Sequence, residues 1–270
     1  MIIYNKDKIE QLKKISHNDF YILTDFDGTI TKGLNNSTWA SIFKNEKVSD
    51  EFVQECTKIY NYYHKYELNN DISIEEKNKI MEEWYKNNIK TLEEYSITKE
   101  IIQNSADTTK YLPFRDGAKE FLKDMYEKSI PVIIISAGVG DIIEQALINE
   151  ESNYENIYIY SNFLKYENEK IVGTKSKELI HPLNKNEIIM SDDLKAKISN
   201  RKNILLFGNN LYDIKMANNE KDIFKIGFLD ENINEKIEDY KAFYDIVCTD
   251  NSSYFDLMEI GTVFFSKKTY

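Results

Sequence analysis

Short apolar runs rich in β-branched residues recur along the chain, and each is followed by a polar or glycine-containing turn and then a helical pattern. Runs of this length are typical of strands buried on both faces of a parallel sheet, because such strands have no solvent-facing side. Strands that alternate with helices predict an α/β fold with helices on both faces of the sheet. The predicted strands cover residues 20–24, 132–135, 157–160, 204–207, 223–228 and 243–247, and the predicted helices cover residues 116–128, 141–149, 212–219, 233–240 and 254–260.

Residues 35–111 have a different pattern, because no convincing strand occurs among them and their periodicity is helical. Ser73 and Thr91 each precede a glutamate by three residues, which is the capping-box spacing of a helix start. Leu112 precedes a proline, and a residue in that position is biased away from the helix. We therefore expect an all-helical cap domain over residues 35–111, inserted after the first core strand, and an α/β core domain over residues 1–34 and 112–270.

The composition is that of a folded, acidic protein. Of the 270 residues, 41% are hydrophobic and 13% aromatic, which excludes a disordered chain. The 46 acidic residues outnumber the 35 basic ones and give a net charge of −11. General binding to nucleic acid or to anionic membranes is therefore not expected, since phosphate backbones are bound by an excess of Lys and Arg. The charge still allows one small anion at a local site.

Cys56 and Cys248 lie far apart and form no CxxC or Cys/His cluster. Neither a disulfide framework nor a structural zinc is expected, and a reducing cytoplasm is the simpler compartment. The N-terminus becomes charged after a few apolar residues, which does not match a signal peptide, and no apolar run approaches the length of a membrane span. We expect a soluble cytoplasmic protein that is a monomer or a weak homo-oligomer.

Two aspartates, Asp25 and Asp27, directly follow the first predicted strand. Alternate residues of a strand share a side, so both carboxylates would project toward one point at the end of the strand. Carboxylates held together repel unless a cation lies between them, and hard oxygen ligands beside a phosphate-bearing substrate suit Mg²⁺. Such a pair could attack phosphorus and exchange protons with the leaving oxygen. The alternative is an acidic turn, since Asp and Gly are common turn residues.

Three more polar segments follow predicted strands. Ser136 begins a Ser-Ala-Gly turn before a helix, where a hydroxyl and free N–H groups would form an anion cradle, although an ordinary turn has the same pattern. Lys185 lies in a polar stretch and is either a phosphate ligand or a solvated surface lysine. The loop of residues 208–213 follows a strand whose end could supply further metal ligands. The order of acid pair, Ser, Lys and acidic loop, each at or soon after a strand end, favours a catalytic site.

This order resembles the haloacid dehalogenase (HAD) superfamily, and specifically its phosphatases, because Asp27 supplies an acid–base group that the dehalogenase branch lacks. The match extends to the cytosolic 5′-nucleotidase III, or pyrimidine 5′-nucleotidase, family. The resemblance covers the chain from about residue 25 to the C-terminus and implies a Rossmann-like core with a helical cap. The similar segments are residues 82–85, 135–141, 161–163, 178–185 and 225–229.

The resemblance implies how each residue would act on a phosphomonoester. Asp25 would be the nucleophile that forms an aspartyl-phosphate, and Asp27 would be the general acid and base. Ser136, the Ala137 backbone and Lys185 would hold the phosphate and offset its charge in the transition state.

The resemblance also implies a Mg²⁺ site held by Asp25, the Asp27 carbonyl and position 209. The family has an aspartate at that position, whereas this chain has Asn209, so an amide replaces a charged ligand. One charge pair at about 4 Å and an effective dielectric near 20 contributes about 4 kcal/mol, so weaker metal binding is expected. Asp213 in the same loop is expected to compensate, either directly or through a water.

In the cap, Glu67 lies at the position where the family contacts the nucleobase, although a solvated helix carboxylate is the alternative, and Asn88 lies where the family has a serine. A carboxylate near the base favours a donor edge such as an exocyclic amine. We therefore expect Mg²⁺-dependent hydrolysis of a nucleoside 5′-monophosphate with a pyrimidine base. The alternatives are a phosphatase for another small phosphomonoester and a catalytically impaired nucleotide-binding homologue, because of Asn209.

Overall fold

The computed structural model describes residues 1–67, 69, 71–185, 190–217 and 222–259. The described strands form a seven-stranded sheet and a separate two-stranded hairpin. The strands are β1 (Ile2–Tyr4), β2 (Phe20–Thr24), β3 (Val132–Val139), β4 (Ile157–Asn162), β5 (Leu164–Glu167), β6 (Lys170–Thr174), β7 (Asn203–Gly208), β8 (Asp222–Leu229) and β9 (Ile246–Thr249).

The large sheet has the order β1-β9-β8-β7-β2-β3-β4. Neighbouring strands from β9 to β4 are parallel, and the edge strand β1 pairs with β9 in the antiparallel direction. β2 lies between β7 and β3, and all five of its residues are buried. The carboxyl ends of these three strands therefore meet at one edge of the sheet, where ligands bind in open α/β folds.

Helices cover the sheet and fill the long connection after β2. Buried apolar side chains on these helices complete the core, as in α6, where Phe121, Leu122 and Met125 are buried. Among the described residues, no helix is long and apolar enough to cross a membrane. The α-helices are α1 (Lys6–Leu12), α2 (Thr38–Phe43), α3 (Asp50–Glu67), α4 (Ile74–Glu94), α5 (Lys99–Ser105), α6 (Ala118–Glu127), α7 (Gly140–Asn149), α8 (Asp192–Ile198), α9 (Ile233–Phe243) and α10 (Tyr254–Glu259).

The connection between β2 and α6, which we call the helical insert (residues 35–111), contains α2 to α5. The hairpin β5–β6 from the other part of the chain packs along α4. Main-chain hydrogen bonds also join the hairpin to the segment after α4, from Lys99 N–H to Glu169 O at 2.9 Å and from Ile171 N–H to Ile97 O at 3.3 Å. The helical insert therefore contacts a hairpin that is distant from it in the chain.

The predicted α/β fold class is confirmed, and several predicted boundaries are corrected. The first predicted core strand is second in the chain, because the three-residue strand β1 precedes it and depends on pairing with β9. The hairpin β5–β6 was not predicted. The last predicted strand begins three residues later than expected, because Phe243 ends α9. The predicted helix over residues 212–219 is a 3₁₀ helix over Leu211–Met216, and residues 218 and 219 lie outside the described part.

The two predicted helix starts have different outcomes. Ser73 is the N-cap of α4, and its side chain accepts the Glu76 N–H at 3.1 Å, as the spacing predicts. Thr91 lies inside α4 and does not start a helix, so that prediction is wrong. Its hydroxyl donates to Asn87 O at 2.9 Å, one turn earlier, which satisfies the side chain without breaking the helix.

Candidate active site

Asp25 lies one residue beyond β2, at the carboxyl edge of the sheet, and is 4% exposed. Its N–H donates to Phe207 O in the neighbouring strand β7 at 3.0 Å, which holds its backbone in the plane of the sheet. Its Oδ1 lies 2.6 Å from the ammonium of Lys185, and the Thr29 hydroxyl lies 3.5 Å from Oδ2. The carboxylate is therefore fixed at the strand end by a buried cation.

Lys185 is 6% exposed and bridges two aspartates that are distant in sequence. Its Nζ lies 2.6 Å from Asp25 Oδ1 and 2.7 Å from Asp213 Oδ1. The other Asp213 oxygen accepts the N–H groups of Asn209 and Asn210, at 3.0 and 2.9 Å. Asp213 thus fixes both the lysine and the loop that follows β7, and direct coordination of a metal by Asp213 would compete with three existing contacts.

Asp27 is held by the start of the helical insert. Its Oδ1 accepts the Thr38 N–H and its Oδ2 accepts the Thr38 hydroxyl, both at 2.9 Å. The same hydroxyl accepts the N–H of Val139 at 3.0 Å, so one threonine links Asp27, α2 and the end of β3. The sequence alone did not identify Thr38, because its partners lie 11 and 101 residues away.

The electrostatic environment perturbs all three charged groups. Burial raises the pKa of Asp25 to about 7, with a contribution from the Asp213 carboxylate and against the lowering effect of Lys185. Burial also raises the pKa of Asp27 to about 6, although its hydrogen bonds to Thr38 act in the opposite direction. Burial acts to lower the pKa of Lys185, but Asp213 and Asp25 outweigh it and raise that pKa above its usual range. The lysine is therefore charged, and the carboxylates around it outnumber it.

β3 continues to Val139, so the predicted strand end at Ile135 is wrong. The strand is irregular from Ser136, where its pairing with β4 shifts register between Ile135 and Val139, and we call this irregular stretch the Ser136 turn. The Ser136 hydroxyl oxygen accepts the Gly138 N–H at 3.0 Å. A Cβ at Gly138 would collide with the Thr38 hydroxyl and lie 2.9 Å from Asp27 Oδ2 and 3.1 Å from Ser136 Oγ. Glycine is therefore required here, and the turn lies directly against the acid pair. The Ala137 carbonyl accepts the Trp39 indole N–H at 3.2 Å, so this turn too contacts the helical insert.

The predicted metal ligands lie at adjoining strand ends. Asn209 follows β7, which pairs with β2 immediately before Asp25. Its side-chain amide makes no hydrogen bond to any described residue and is half-buried. Within the described ranges, no group of three or more His, Cys, Asp or Glu side chains could hold a metal. The oxygen atoms available as metal ligands are those of the Asp25 carboxylate, the Asp27 carbonyl and the Asn209 side-chain amide. They are hard donors of the kind that fit Mg²⁺.

The two predicted nucleobase residues line different cavities. Glu67 ends α3, pairs with His64 Nδ1 at 3.1 Å, and lines a cavity of about 500 Å³ together with Asn209. Asn88 lines a second cavity, of about 430 Å³, beside Tyr85. Burial raises the pKa of Tyr85 well above its usual value, and the charges of Glu67, Asp27 and Asp25 add to this effect. The sequence predicts no role for the Tyr85 hydroxyl beyond its place in the similar segment 82–85, yet it lies in the field of both the acid pair and Glu67.

Comparison with known proteins agrees with this geometry. A family model described as pyrimidine 5′-nucleotidase (UMPH-1) matches residues 23–260. The 7-methylguanosine phosphate-specific 5′-nucleotidase A of Xenopus laevis is 31% identical over 255 residues, which cover 90% of this chain and 86% of that protein. The human 7-methylguanosine phosphate-specific 5′-nucleotidase is 28% identical over 246 residues, covering 87% and 81% of the two chains.

Solved structures extend the similarity to the whole fold. The structure of cytosolic 5′-nucleotidase IIIB bound to cytidine has a TM-score of 0.84 at 25% identity, covering 97% of this chain and 92% of that one. A phosphoserine phosphatase in its apo form has a TM-score of 0.57 at 20% identity, covering 89% and 98% of the chains, and shares the fold. The chain therefore belongs to the pyrimidine 5′-nucleotidase family, a family of phosphoric monoester hydrolases with the HAD fold.

Proposed function

We propose that the protein is a Mg²⁺-dependent 5′-nucleotidase that hydrolyses a nucleoside 5′-monophosphate through an aspartyl-phosphate on Asp25. The observation that carries this proposal is the buried Lys185 ammonium, 2.6 Å from Asp25 and 2.7 Å from Asp213. A buried cation against the nucleophile leaves the phosphate a positively charged neighbour in an otherwise acidic protein. Together with Ser136 and the turn that follows it, Lys185 supports binding of a phosphate dianion.

The reaction proceeds by two displacements at phosphorus. A carboxylate oxygen of Asp25 attacks phosphorus while the bond to the nucleoside 5′-oxygen breaks, and Asp27 gives its proton to that oxygen. After the nucleoside leaves, Asp27 removes a proton from a water that attacks phosphorus, and the bond to Asp25 breaks. The two Thr38 hydrogen bonds hold the Asp27 carboxylate in place for both proton transfers.

Asp25, the Asp27 carbonyl and Asn209 would hold Mg²⁺. When bound, the dication supplies charge neutralisation at the phosphoryl group. Asp213 is assigned a supporting role, because its oxygens already hold Lys185 and two N–H groups. Asn209 carries no charge, so the site would bind Mg²⁺ less strongly than one with an aspartate there. The half-buried amide without a hydrogen bond to the described residues supports this position as a ligand.

Glu67 is proposed to select the nucleobase. Its carboxylate accepts hydrogen bonds, and cytosine and guanine both present an exocyclic amine as a donor. This choice agrees with a family named for pyrimidine nucleotides and with relatives named for 7-methylguanosine phosphate. We therefore propose that bases with an exocyclic amine are preferred to uracil.

The helical insert is proposed to act as a cap that covers the bound substrate. Thr38 and Trp39, the first two residues of α2, reach Asp27 and the Ala137 carbonyl. Residues at the start of the insert thus complete the site that the core provides. Closure over the strand ends would exclude bulk water and macromolecular substrates.

The test is release of phosphate by purified protein with Mg²⁺ from CMP, UMP and 7-methylguanosine monophosphate. Activity should require the metal and should be abolished in Asp25→Asn, whereas the exposed-site control Asp116→Asn should retain it. Mass spectrometry of acid-quenched enzyme should show one phosphate on the peptide that contains Asp25. Absence of phosphate release from all three nucleotides, at high Mg²⁺, would contradict the proposal.

A further inference from the structure

Asn162, the last residue of β4, makes four side-chain hydrogen bonds and is 4% exposed. Two of them go to the turn that follows Ser136, where its amide donates to Ala137 O at 3.0 Å and to Gly138 O at 3.2 Å. The other two go to Ile180, where Nδ2 donates to the carbonyl at 2.9 Å and Oδ1 accepts the N–H at 2.8 Å. One buried side chain therefore joins two separate segments of backbone.

The segment on the far side of Asn162 leads to Lys185. Between Ile180 and the lysine, the chain is held in a tight turn by Asn184, which donates to Leu179 O at 2.9 Å and accepts the His181 N–H at 2.8 Å. Because this turn is short and internally bonded, its anchor at Ile180 fixes where the lysine side chain begins. The backbone position of Lys185 relative to Ser136 thus depends on the Asn162 amide.

We propose that Asn162 is a positioning residue that holds the Ser136 turn and the Lys185 turn at the separation needed to bind phosphate from two sides. This inference rests on the proposed function, since it concerns the phosphate contacts of that site. Asn162 itself touches neither Asp25 nor Lys185, so its action is through the backbone. Ser161 supports one side of this link, because its hydroxyl donates to Gly138 O at 2.9 Å.

Asparagine is suited to this position because its side chain must donate to backbone carbonyls and also accept a hydrogen bond from a backbone N–H. Three carbonyl oxygens lie around its NH₂ group, whose two hydrogens are shared among them, and the Ile180 N–H donates to its oxygen. Neither a carboxylate nor a hydroxyl offers that combination. Loss of the amide leaves the Ile180 carbonyl and N–H without these partners, whereas Ala137 O and Gly138 O keep their bonds from Trp39 and Ser161. The link between the two turns is then lost, and the Ile180 side would move to reach other partners or water. A displacement of about 1 Å in a phosphate contact can reduce the rate of chemistry by about 100-fold.

The experiment compares Asn162→Ala with Asn156→Ala, a matched control from the other end of the same strand. Asn156 precedes β4 and also donates its amide to a main-chain carbonyl, that of Ile130, at 2.7 Å. Six residues of extended chain place it roughly 20 Å from Asn162. For each variant, kcat, KM, thermal unfolding and the inhibition constants of inorganic phosphate and of cytidine are measured.

Asn162→Ala should lower kcat by about 100-fold and weaken inhibition by inorganic phosphate at least tenfold, while inhibition by cytidine stays within twofold. Asn156→Ala should leave both inhibition constants unchanged, whatever its effect on stability. The inference would be overturned if Asn162→Ala weakened inhibition by phosphate and by cytidine equally. Unchanged inhibition by phosphate in the folded variant would overturn it as well. If Asn162→Ala does not fold, Ser161→Ala decides, with an expected loss of about fivefold in phosphate affinity alone and no change as the refuting result.

Failure of the proposed function gives a different pattern. In that case the parent protein releases no phosphate from any nucleotide, and calorimetric titration with inorganic phosphate replaces the kinetic measurement. Weaker phosphate binding in Asn162→Ala than in Asn156→Ala would then still support the positioning role, and equal binding would reject it.

Discussion

Arg115 is almost completely buried, with 1% of its surface exposed, and its side chain contacts the loop that carries the acid pair. Its guanidinium donates to Gly28 O at 2.6 Å and Thr29 O at 3.1 Å, in the loop that carries Asp25 and Asp27, and to Ser252 O at 3.1 Å. It also pairs with Asp230, at 2.7 and 3.3 Å. Replacement by methionine, Arg115→Met, keeps much of the apolar volume and removes every one of these donors.

The expected cost is about 3–5 kcal/mol of unfolding free energy, because the Asp230 charge is left buried without its partner. For a chain of this size that loss lowers Tm by roughly 10 °C. The assay is urea unfolding followed by fluorescence, with Tm from calorimetry. Activity at 25 °C should also fall, since the loop that carries Asp25 and Asp27 loses two of its hydrogen bonds.

Two further variants make this prediction specific. Arg201→Met is the matched control, because Arg201 also donates to three main-chain carbonyls but is half-buried and has no carboxylate within ion-pair distance in the described ranges. Its replacement should cost only about 1–2 kcal/mol. The double variant Arg115→Met/Asp230→Leu should recover about 1–2 kcal/mol relative to Arg115→Met. A loss no larger in Arg115→Met than in Arg201→Met, or no recovery in the double variant, would refute the reasoning.

Three other predictions concern the site itself. Asn209→Asp should lower the Mg²⁺ concentration needed for half-maximal activity by tenfold or more, because it adds a charge beside the dication, and an unchanged requirement would remove position 209 from the ligand set. Glu67→Gln should reduce the ratio of kcat/KM for CMP over UMP, and an unchanged ratio would exclude base selection by Glu67. Thr38→Val removes a hydrogen bond that lowers the pKa of Asp27, so that pKa rises above about 6 and Asp27 stays protonated to higher pH. The alkaline limb of kcat/KM, which reports the protonated acid, should then move up by about one pH unit, and a downward shift would contradict the assignment.

The parallel sheet was predictable because its central strands are continuous apolar runs. Phe20–Thr24 is buried on both faces, so nearly all of its side chains are apolar and the strand is recognisable from sequence. The acid pair, Ser136 and Lys185 were identified for a related reason, since each lies at or soon after such a run. Parallel strands bring Asp25, Asp27 and Ser136 to one edge of the sheet. Lys185 follows the separate hairpin β5–β6 and reaches that edge through the turn anchored at Ile180.

The supporting contacts were not predictable, because they join residues whose proximity depends on the complete fold. Thr38 binds Asp27 only after α2 is placed over the strand ends, and Asn162 binds Ile180 only after the sheet has formed. The edge strand β1 was missed because three residues give no periodicity of their own. The prediction for Thr91 is wrong because a capping-box spacing also occurs inside helices. There the threonine hydroxyl donates to the carbonyl one turn earlier, as Thr91 does to Asn87 O.

The hairpin β5–β6 limits how independent the helical insert can be. A two-stranded hairpin is marginal in water, and this one is completed by α4 and by main-chain bonds to Ile97 and Lys99. Ile171 on β6 is 3% exposed and would face solvent if the insert were excised. Any transfer of the helical insert between relatives would therefore have to carry residues 164–174 with it. The two segments are distant in the chain but constitute one exchangeable module.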